Sequence, residues 1–201
     1  MNQHVDKHSV NASPPARATA LQRLLVEKNL LTDSDVHAQI EAADDLSEAN
    51  GARVIARAWI DPGFRIRLLE NATTAARELG IEGPEGKYMV AVENTEQVHN
   101  VIVCTQCSCT AWPLIGLPPD WYKSPAYRAR VVREARTVLQ EMGLAVAHDR
   151  KIRVWDTSGD ARYVVLPLRP ASAADFSEEQ LQALVTREAM IGVAEINVGH
   201  P

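Results

Sequence analysis

The three cysteines of the chain lie within six positions, in the stretch NVIVCTQCSCTAWP that runs from 100 to 113. They are Cys104, Cys107 and Cys109. Random placement along the chain would produce such a cluster about one time in several hundred. Because thiolates serve as metal ligands and redox groups, this spacing indicates a chemical role for the segment.

Several kinds of site use clustered cysteines. Cys104 and Cys107 form a C-x-x-C pair, but in redox proteins this pair follows a strand that opens directly into a helix, whereas prolines follow here. An iron–sulfur cluster usually takes four cysteines. Structural zinc normally takes two separated ligand pairs, which would require a further ligand such as His99. Buried thiols packed as small apolar side chains are another alternative, although the intervening Thr, Gln and Ser residues make the segment polar for a core strand.

The tripeptide Cys107-Ser108-Cys109 also offers a chelating site that includes the backbone. The Cys109 sulfur and its own amide nitrogen close a five-membered ring, and so do the Ser108 and Cys109 nitrogens. The Cys107 sulfur and the Ser108 nitrogen close a six-membered ring. Two sulfurs and two amide nitrogens can therefore share a plane, with Cys104 on one side and an open position on the other. Neither Ser108 nor Cys109 is proline, so both amides exist.

Such a donor set would select its metal by charge. Three thiolates and two deprotonated amides favour a hard, highly charged ion, so iron(III) or cobalt(III) fits and zinc does not. The open position would make the site catalytic rather than structural. Thiolates that oxygen can reach are also candidates for oxidation to sulfenic and sulfinic acids.

The segment VCTQCSCTAWPLIGLPPDWYKSPAYRARVVRE, at 103–134, resembles the metal-binding motif of the nitrile hydratase alpha subunit. The resemblance continues through IRVWDTSGDARYVVLPLRP and SEEQLQALVTREAMIGVA, so it covers about the last half of the chain. It implies an enzyme that hydrates a nitrile to an amide at one non-haem iron(III) or cobalt(III) ion per chain.

The resemblance also implies roles for individual residues. The metal ligands are the sulfurs of Cys104, Cys107 and Cys109 and the backbone nitrogens of Ser108 and Cys109. Cys107 matches a position oxidised to sulfinic acid, and Cys109 matches one that is left as sulfenic acid. The oxidised Cys109 is implied to act as the nucleophile or to activate water. A separate beta subunit supplies arginines that hold the oxidised sulfurs, in a heterodimer or a heterotetramer.

The identity of the metal depends on small differences within the motif. Thr105 resembles the cobalt pattern, whereas Thr110 followed by Ala111 resembles the iron pattern, and Gln106 replaces the usual leucine. The sequence that follows the motif resembles that of the iron-containing members of the family, so we expect iron(III), with cobalt(III) as the alternative. Two other functions stay open: the gamma subunit of thiocyanate hydrolase, which shares the motif, and a zinc-stabilised binding module without catalysis.

Residues around the cysteines have both functional and structural interpretations. Trp112 is a candidate wall of an apolar substrate pocket, or it packs under the loop. The Ser108 hydroxyl is a candidate to orient water or Cys109, or it only lets the chain turn. Tyr122 and Lys123 are candidates to reach the site, but we expect them only to cap the loop.

Other polar residues are expected at the surface. Arg128, Arg130, Arg133 and Arg136 lie on one predicted helix, whose basic face is expected to be solvated or to meet an acidic partner. Glu85 and Glu93 are candidate bases near the metal, but we expect them, like His99, to be surface residues.

The patterns predict an α+β fold, with a helical N-terminal arm before a mixed, layered α/β body in which the cysteines follow a strand. We expect a disordered tail at 1–16, the arm at 17–60 and a catalytic metal-binding domain at 61–201. The arm should contain a helix with Leu21, Leu24 and Leu25 on one face and a second helix from about Asp33 into the fifties. Asp61 with Pro62 should begin a helix that Gly80 ends.

The second half of the chain alternates predicted strands and helices. KYMVAVEN and NVIVC read as strands, Ser124 and Pro125 should begin a helix that Gly143 ends, and Ser177 with Gln180 should form a capping box. KIRVWDT and RYVVLPL read as a hairpin across SGD. A net charge of −5 disfavours a nucleic-acid partner. The sequence has neither an apolar run of membrane-spanning length nor a signal core, so we expect a cytoplasmic protein.

Overall fold

The computed structural model describes residues 13–44, 46–82 and 88–199. The chain divides into two compact units, Met1–Asp45 and Leu46–Pro201. The mixed helix and strand content of the described residues confirms the predicted α+β class. None of the helices in these ranges is both long enough and apolar enough to cross a membrane.

The first unit contains two helices, α1 (Pro14–Glu27) and α2 (Asp33–Asp44). Ser13 caps α1 through its hydroxyl, and Pro14 occupies the first turn, so the predicted tail at 1–16 is wrong at its last residues because the helix begins there. The rest of that tail, 1–12, lies outside the described residues. The α1 helix buries none of its residues within the described part of the chain, and Leu21 and Leu24 are exposed.

The second predicted helix is wrong in its length. The α2 helix ends at Asp44, and a new helix, α3 (Glu48–Ile60), begins after Ser47, whose hydroxyl accepts a hydrogen bond from the Ala49 amide. This cap interrupts the helical pattern that we extended through the fifties. The α3 helix belongs to the second unit, whereas the predicted functional boundary between 60 and 61 stays a prediction.

Two helices follow α3 where the sequence predicted one. The Asp61 carboxylate accepts from the Phe64 amide at 2.9 Å and begins α4 (Pro62–Glu70). Asn71 then takes an extended conformation and caps α5 (Ala72–Glu78) through its side chain. Gly80, with a φ of 73°, lies just past the end of α5. The predicted start and end are therefore confirmed, and Asn71 divides the segment.

Four strands form two parallel pairs. They are β1 (Tyr88–Glu93), β2 (Val98–Val103), β3 (Lys151–Asp156) and β4 (Ala161–Leu166). β1 pairs with β4, from Tyr88 opposite Ala161, and β2 pairs with β3, from Val98 opposite Lys151. The predicted hairpin of β3 with β4 is therefore wrong. Each of these two strands pairs instead with an earlier strand. Most residues of β2 and β4 are buried, as is typical of parallel strands.

The remaining helices surround these strands. They are α6 (Trp112–Ile115), α7 (Asp120–Lys123), α8 (Pro125–Glu141), α9 (Glu178–Leu184) and α10 (Arg187–Ile191), with a short 3-10 turn at Ala171–Ala173. The predicted caps of α8 and α9 are confirmed: Ser124 accepts from the Tyr127 amide, and Ser177 and Gln180 form a capping box. Near its middle, α8 is kinked at Glu134, and Arg130 spans the kink with ion pairs to Glu134 and Glu141.

His99, in β2, is buried rather than exposed as the sequence predicted. Its Nε2 donates to the Gly192 carbonyl at 2.8 Å, and its Nδ1 lies 3.5 Å from the Asn94 amide nitrogen. Burial lowers the pKa of His99, and the nearby Arg150 and Arg136 guanidinium groups lower it further, whereas the hydrogen bond to Gly192 and the Glu195 carboxylate act in the opposite direction. The ring is therefore a neutral link between β2 and the end of α10.

Acidification should consequently destabilise the protein through His99. In the unfolded chain the imidazole takes up a proton near pH 6.5, whereas the folded chain takes it up only at lower pH. The stabilising contribution is thus complete above pH 6.5 and declines as the pH falls, by at most about 1.4 kcal/mol per pH unit. Urea unfolding between pH 8 and pH 5 measures this, and His99→Gln, which can still donate to Gly192, should flatten this part of the profile. An unchanged profile in His99→Gln would assign the acid sensitivity to another group.

Candidate metal centre

The cysteine loop, residues 104–111, begins where the parallel pair of β2 and β3 ends. Val103 and Asp156 are the last paired residues. The Asp156 carboxylate accepts from the Thr105 amide at 2.9 Å and from the Thr105 hydroxyl at 2.6 Å. The carboxyl end of β3 therefore holds the start of the loop in a fixed direction.

The three cysteine sulfurs converge in this loop. They lie within 4.8 Å of one another. The Cys104 and Cys107 sulfurs are 3.3 Å apart, and the Cys107 and Cys109 sulfurs are 3.1 Å apart. Cys104 is buried, Cys109 is partly buried and Cys107 is exposed. These separations are shorter than the roughly 3.5–4.0 Å at which even the smaller carbon atoms pack.

The sulfur separations test which metal geometry the loop fits. Two sulfurs that are each about 2.3 Å from one ion lie about 3.3 Å apart when the angle at the ion is about 90°, and about 3.8 Å apart at the tetrahedral angle. The observed 3.3 and 3.1 Å agree with the right angle. These two separations thus agree better with a square-planar or octahedral ion than with tetrahedral zinc.

Backbone nitrogens also face the sulfurs. The Cys107 amide donates to the Cys104 sulfur at 3.3 Å. The amides of Ser108 and Cys109 approach the Cys107 sulfur closely enough to help lower its pKa. The loop therefore brings to one place the three sulfurs and the two nitrogens that bond counting selected as a donor set.

Two tyrosines hold the cysteine loop and the strand that leads into it. The Tyr122 hydroxyl donates to the Cys109 carbonyl at 3.0 Å, and the Tyr127 hydroxyl donates to the Ile102 carbonyl at 2.7 Å. Burial raises the pKa of both tyrosines, so each hydroxyl keeps its proton and remains a donor. Tyr122 thus contacts the loop itself, whereas Lys123 is exposed and pairs with Asp120.

Two arginines of this chain hold the backbone of the loop. Arg128 donates through Nη1 to the Cys107 carbonyl at 3.2 Å, and the buried Arg162 donates to the Thr110 carbonyl at 2.9 Å. In both, the Nε atom is buried and has no partner among the described residues. The positive charge of Arg162 acts to lower the pKa of Cys109, against the larger effect of burial.

The predicted basic face of α8 is therefore only partly correct. Arg128 contacts the cysteine loop, and Arg130 forms the ion pairs described above. Arg136 donates to the carbonyls of Val146, Ala147 and Arg150, which organises the loop before β3. Arg133 is exposed as predicted.

Trp112 begins α6 directly after the cysteine loop. The Arg162 guanidinium carbon lies 4.9 Å from the centre of its ring. Its indole nitrogen is buried without a partner in the described part of the chain, although the residue as a whole is half-buried. Its role as a pocket wall stays a prediction. Of the two candidate bases, Glu93 pairs with Arg65, and Glu85 lies outside the described residues.

Sequence reasoning did not find Asp156, Arg162 or the contact made by Arg128. Asp156 ends one strand and Arg162 lies in the next, so both would have been placed correctly if β3 had been paired in parallel with β2 and β4 with β1. The hairpin interpretation instead placed the two strands beside each other. The signal was the run of buried residues in NVIV and YVVL, which is typical of parallel rather than antiparallel strands.

The sulfurs should differ in reactivity in the metal-free chain. Hydrogen bonds from the other two cysteines lower the pKa of Cys107 to about 7, whereas burial and the neighbouring Cys107 sulfur raise the pKa of Cys109 to about 11. Iodoacetamide should therefore modify Cys107 first, at a rate that rises about tenfold per pH unit below pH 7 and levels off above it. Peptide mass spectrometry measures the order, and Cys107→Ser should leave only slow modification at pH 7. Faster modification of Cys109 would contradict this assignment.

Comparison with known proteins identifies the family. The nitrile hydratase alpha chain family matches residues 12–194. The low-molecular weight cobalt-containing nitrile hydratase subunit alpha of Rhodococcus rhodochrous is 50% identical over 185 residues, which cover 92% of this chain and 89% of that protein. Thiocyanate hydrolase subunit gamma of Thiobacillus thioparus is 34% identical over 186 residues, covering 87% and 76%.

Solved structures agree with the sequence comparison. A double mutant of the Fe-type nitrile hydratase from Comamonas testosteroni Ni1 superposes with a TM-score of 0.90 at 45% identity, and the match covers 95% of this chain and 96% of that one. A recombinant thiocyanate hydrolase with partially modified cobalt centres gives a TM-score of 0.87 at 32% identity, covering 98% and 93%. The chain therefore belongs to the nitrile hydratase alpha chain family, a family of hydro-lyases.

Proposed function

We propose that this chain is the alpha subunit of a nitrile hydratase and hydrates a nitrile to the corresponding amide. The metal would be held by the sulfurs of Cys104, Cys107 and Cys109 and by the backbone nitrogens of Ser108 and Cys109. The observation that carries this proposal is the short separation of the sulfurs, 3.3 Å and 3.1 Å, beside two backbone amides. Such separations correspond to an angle of about 90° between neighbouring sulfurs at one ion. This donor set suits a trivalent ion.

We propose iron(III) as that ion, with cobalt(III) as the alternative. Thr110 and Ala111 support iron, as does the likeness to the Fe-type structure. Thr105 and relatives named as cobalt-containing support cobalt. Because both ions would use the same donors, elemental analysis of the purified protein decides between them.

The chemistry of the proposal divides between the ion and the chain. When bound, the ion supplies a Lewis acid for the nitrile or for water. Cys109, oxidised to the sulfenic form, would supply an oxygen that attacks the nitrile carbon or removes a proton from water. Cys107 would be the sulfinic residue, and the hydroxyl of Ser108, which separates the two cysteines in the chain, is a candidate to orient water. Tyr122 would hold the carbonyl of Cys109 and Arg162 the carbonyl of Thr110, so both would fix the backbone that follows the Cys109 sulfur.

A beta subunit is part of this proposal, in a heterodimer or a heterotetramer. Thr105, Gln106 and Cys107 are exposed in this chain. Hydration at a metal centre gains from a site that excludes bulk water, and this chain leaves the outer side of its cysteine loop uncovered. A partner that covers this side would complete the site and bring arginines to the oxidised sulfurs. We also propose a cytoplasmic location, where the thiols stay reduced until the metal binds.

Trp112 should contribute to the choice of nitrile. If its half-buried ring forms part of the pocket wall, Trp112→Ala should weaken the binding of a small nitrile by about 1–3 kcal/mol, seen as a higher KM. Trp112→Phe should lose less, because it keeps an aromatic ring. An unchanged KM in both variants would show that Trp112 only packs against Arg162.

One co-expression experiment tests the function as a whole. The chain is purified together with its beta subunit and examined by intact-mass spectrometry, metal analysis and assays on a nitrile and on thiocyanate. About one iron or cobalt per chain, added oxygens on the cysteine peptide and amide formation would support the proposal. Hydrolysis of thiocyanate alone would favour the second candidate, which the likeness to the Thiobacillus thioparus protein supports. Zinc with unmodified thiols would overturn both.

A further inference from the structure

A cavity lies at the opposite end of β2 from the cysteine loop. It has a volume of about 510 Å³. Asn94 follows the end of β1 and Pro167 follows the end of β4, so the cavity lies at the carboxyl edge of that parallel pair. Ligands in α/β proteins commonly bind at such edges. The cysteine loop occupies the carboxyl edge of the other pair, about 20 Å away along the six residues of β2.

The more buried charged groups of this cavity are two arginines, Arg150 and Arg169. Arg150 is 8% exposed and is held by the Thr95 carbonyl and the Glu195 carboxylate. Arg169 is half-buried and donates to three carbonyls, at 3.3 Å to Trp59, 2.8 Å to Ala173 and 2.7 Å to Ala174. Its Nε atom is buried without a partner among the described residues. Arg169 also has no carboxylate partner in that part of the chain, so its positive charge is not neutralised.

Acidic side chains form the outer rim. Glu96, Asp149 and Glu195 line the cavity and are exposed. Glu195 is used by Arg150, whereas Glu96 and Asp149 form no ion pair within the described ranges. The cavity therefore has an uncompensated positive charge on its inner side and two uncompensated negative charges at its mouth.

We propose that this cavity binds a small zwitterion, an amino acid whose carboxylate meets Arg169 and whose ammonium group meets Glu96 and Asp149. A simple anion would gain nothing from the acidic rim, and a simple cation would gain nothing from the positive charge of Arg169. A ligand with both charges satisfies both ends. Charge-assisted hydrogen bonds at each end supply the affinity.

Calorimetric titration of the full chain, in the assembly in which it purifies, tests the proposal. The ligands are glycine, β-alanine, γ-aminobutyrate and ε-aminocaproate, with butyrate and butylamine as the two half-ligands. We expect one member of the amino acid series to bind, with an affinity about tenfold or more above that of either half-ligand. No binding up to about tens of millimolar, or equal binding of a half-ligand, would overturn the proposal.

Rim variants locate the binding. Glu96→Gln combined with Asp149→Asn removes the two negative charges at exposed positions, and we expect it to weaken the amino acid about tenfold or more. Glu70→Gln, an exposed acid that does not line the cavity, is the matched control and should bind normally. Arg169 is less suitable for substitution, since it also holds backbone carbonyls. Binding that survives the rim variant comes from another part of the chain, such as the cysteine loop, and would also overturn the proposal.

Discussion

Replacing Cys109 with alanine should remove metal retention and nitrile hydration together. The substitution deletes one of three converging sulfurs, which lies 3.1 Å from the Cys107 sulfur in the intact loop. Loss of a residue that only supports a ligand costs about 10–100-fold in metal affinity or activity, so loss of a direct donor should cost more than about a hundredfold. Metal analysis and amide formation, measured on the same preparation with the beta subunit, give both values.

Ser108→Ala is the matched control for this prediction. It changes the neighbouring side chain but keeps the backbone nitrogen that we propose as a ligand, so the metal content should stay near that of the unmodified protein. A lower rate with normal metal content would show that the Ser108 hydroxyl orients water or Cys109. The assignment of Cys109 would be wrong if Cys109→Ala kept its full metal content and activity.

The helix boundaries that depend on caps could be predicted from the sequence. Asp61, Ser124 and Ser177 each precede a helix and accept a hydrogen bond from an amide in its first turn. Such contacts involve residues about three positions apart, so local sequence is enough. The divisions at Ser47 and Asn71 use the same chemistry, but long apolar periodicity on both sides obscured them.

The strand pairing could not be obtained in the same way. Lys151 pairs with Val98 and Ala161 with Tyr88, across sequence separations that a local pattern does not encode. The short link between β3 and β4 favoured a hairpin, because close strands often pair. Burial of β2 and β4 against helices determines the pairing instead, and this is a property of the whole packed unit.

The candidate site also combines residues that local sequence predicts with residues that only the folded structure brings together. The proposed donor atoms lie in one tripeptide and Cys104, so counting bonds along the chain is enough to select them as candidates. The groups that hold the loop come from distant segments: Asp156 from β3, Tyr122 from α7 and Arg162 from β4. His99 illustrates the limit, because its isolated position suggested a surface residue, whereas its partner Gly192 lies 93 positions later in the chain.

Gly192→Ala should be among the most destabilising single substitutions in the second unit. Gly192 ends α10 with a φ of 89°, and an added Cβ would lie 2.0 Å from the Asn100 carbonyl oxygen. The positive φ costs an L-residue about 1–2 kcal/mol by itself. The backbone of β2 cannot yield as a flexible side chain can, so the clash should raise the total above about 4 kcal/mol. Urea unfolding gives the change in the free energy of unfolding.

Gly143→Ala separates the two causes. Gly143 ends α8 with a φ of 95°, and an added Cβ there meets no atom within 4 Å among the described residues. Both substitutions impose the same backbone strain, so Gly143→Ala should cost only about 1–2 kcal/mol, and the difference measures the approach of α10 to β2. Because β2 leads into Cys104, Gly192→Ala should also lower the metal content, whereas Gly143→Ala should not. Equal losses in the two variants would mean that α10 does not pack on β2 through this glycine, and that the His99 contact does not fix the strand that carries the cysteine loop.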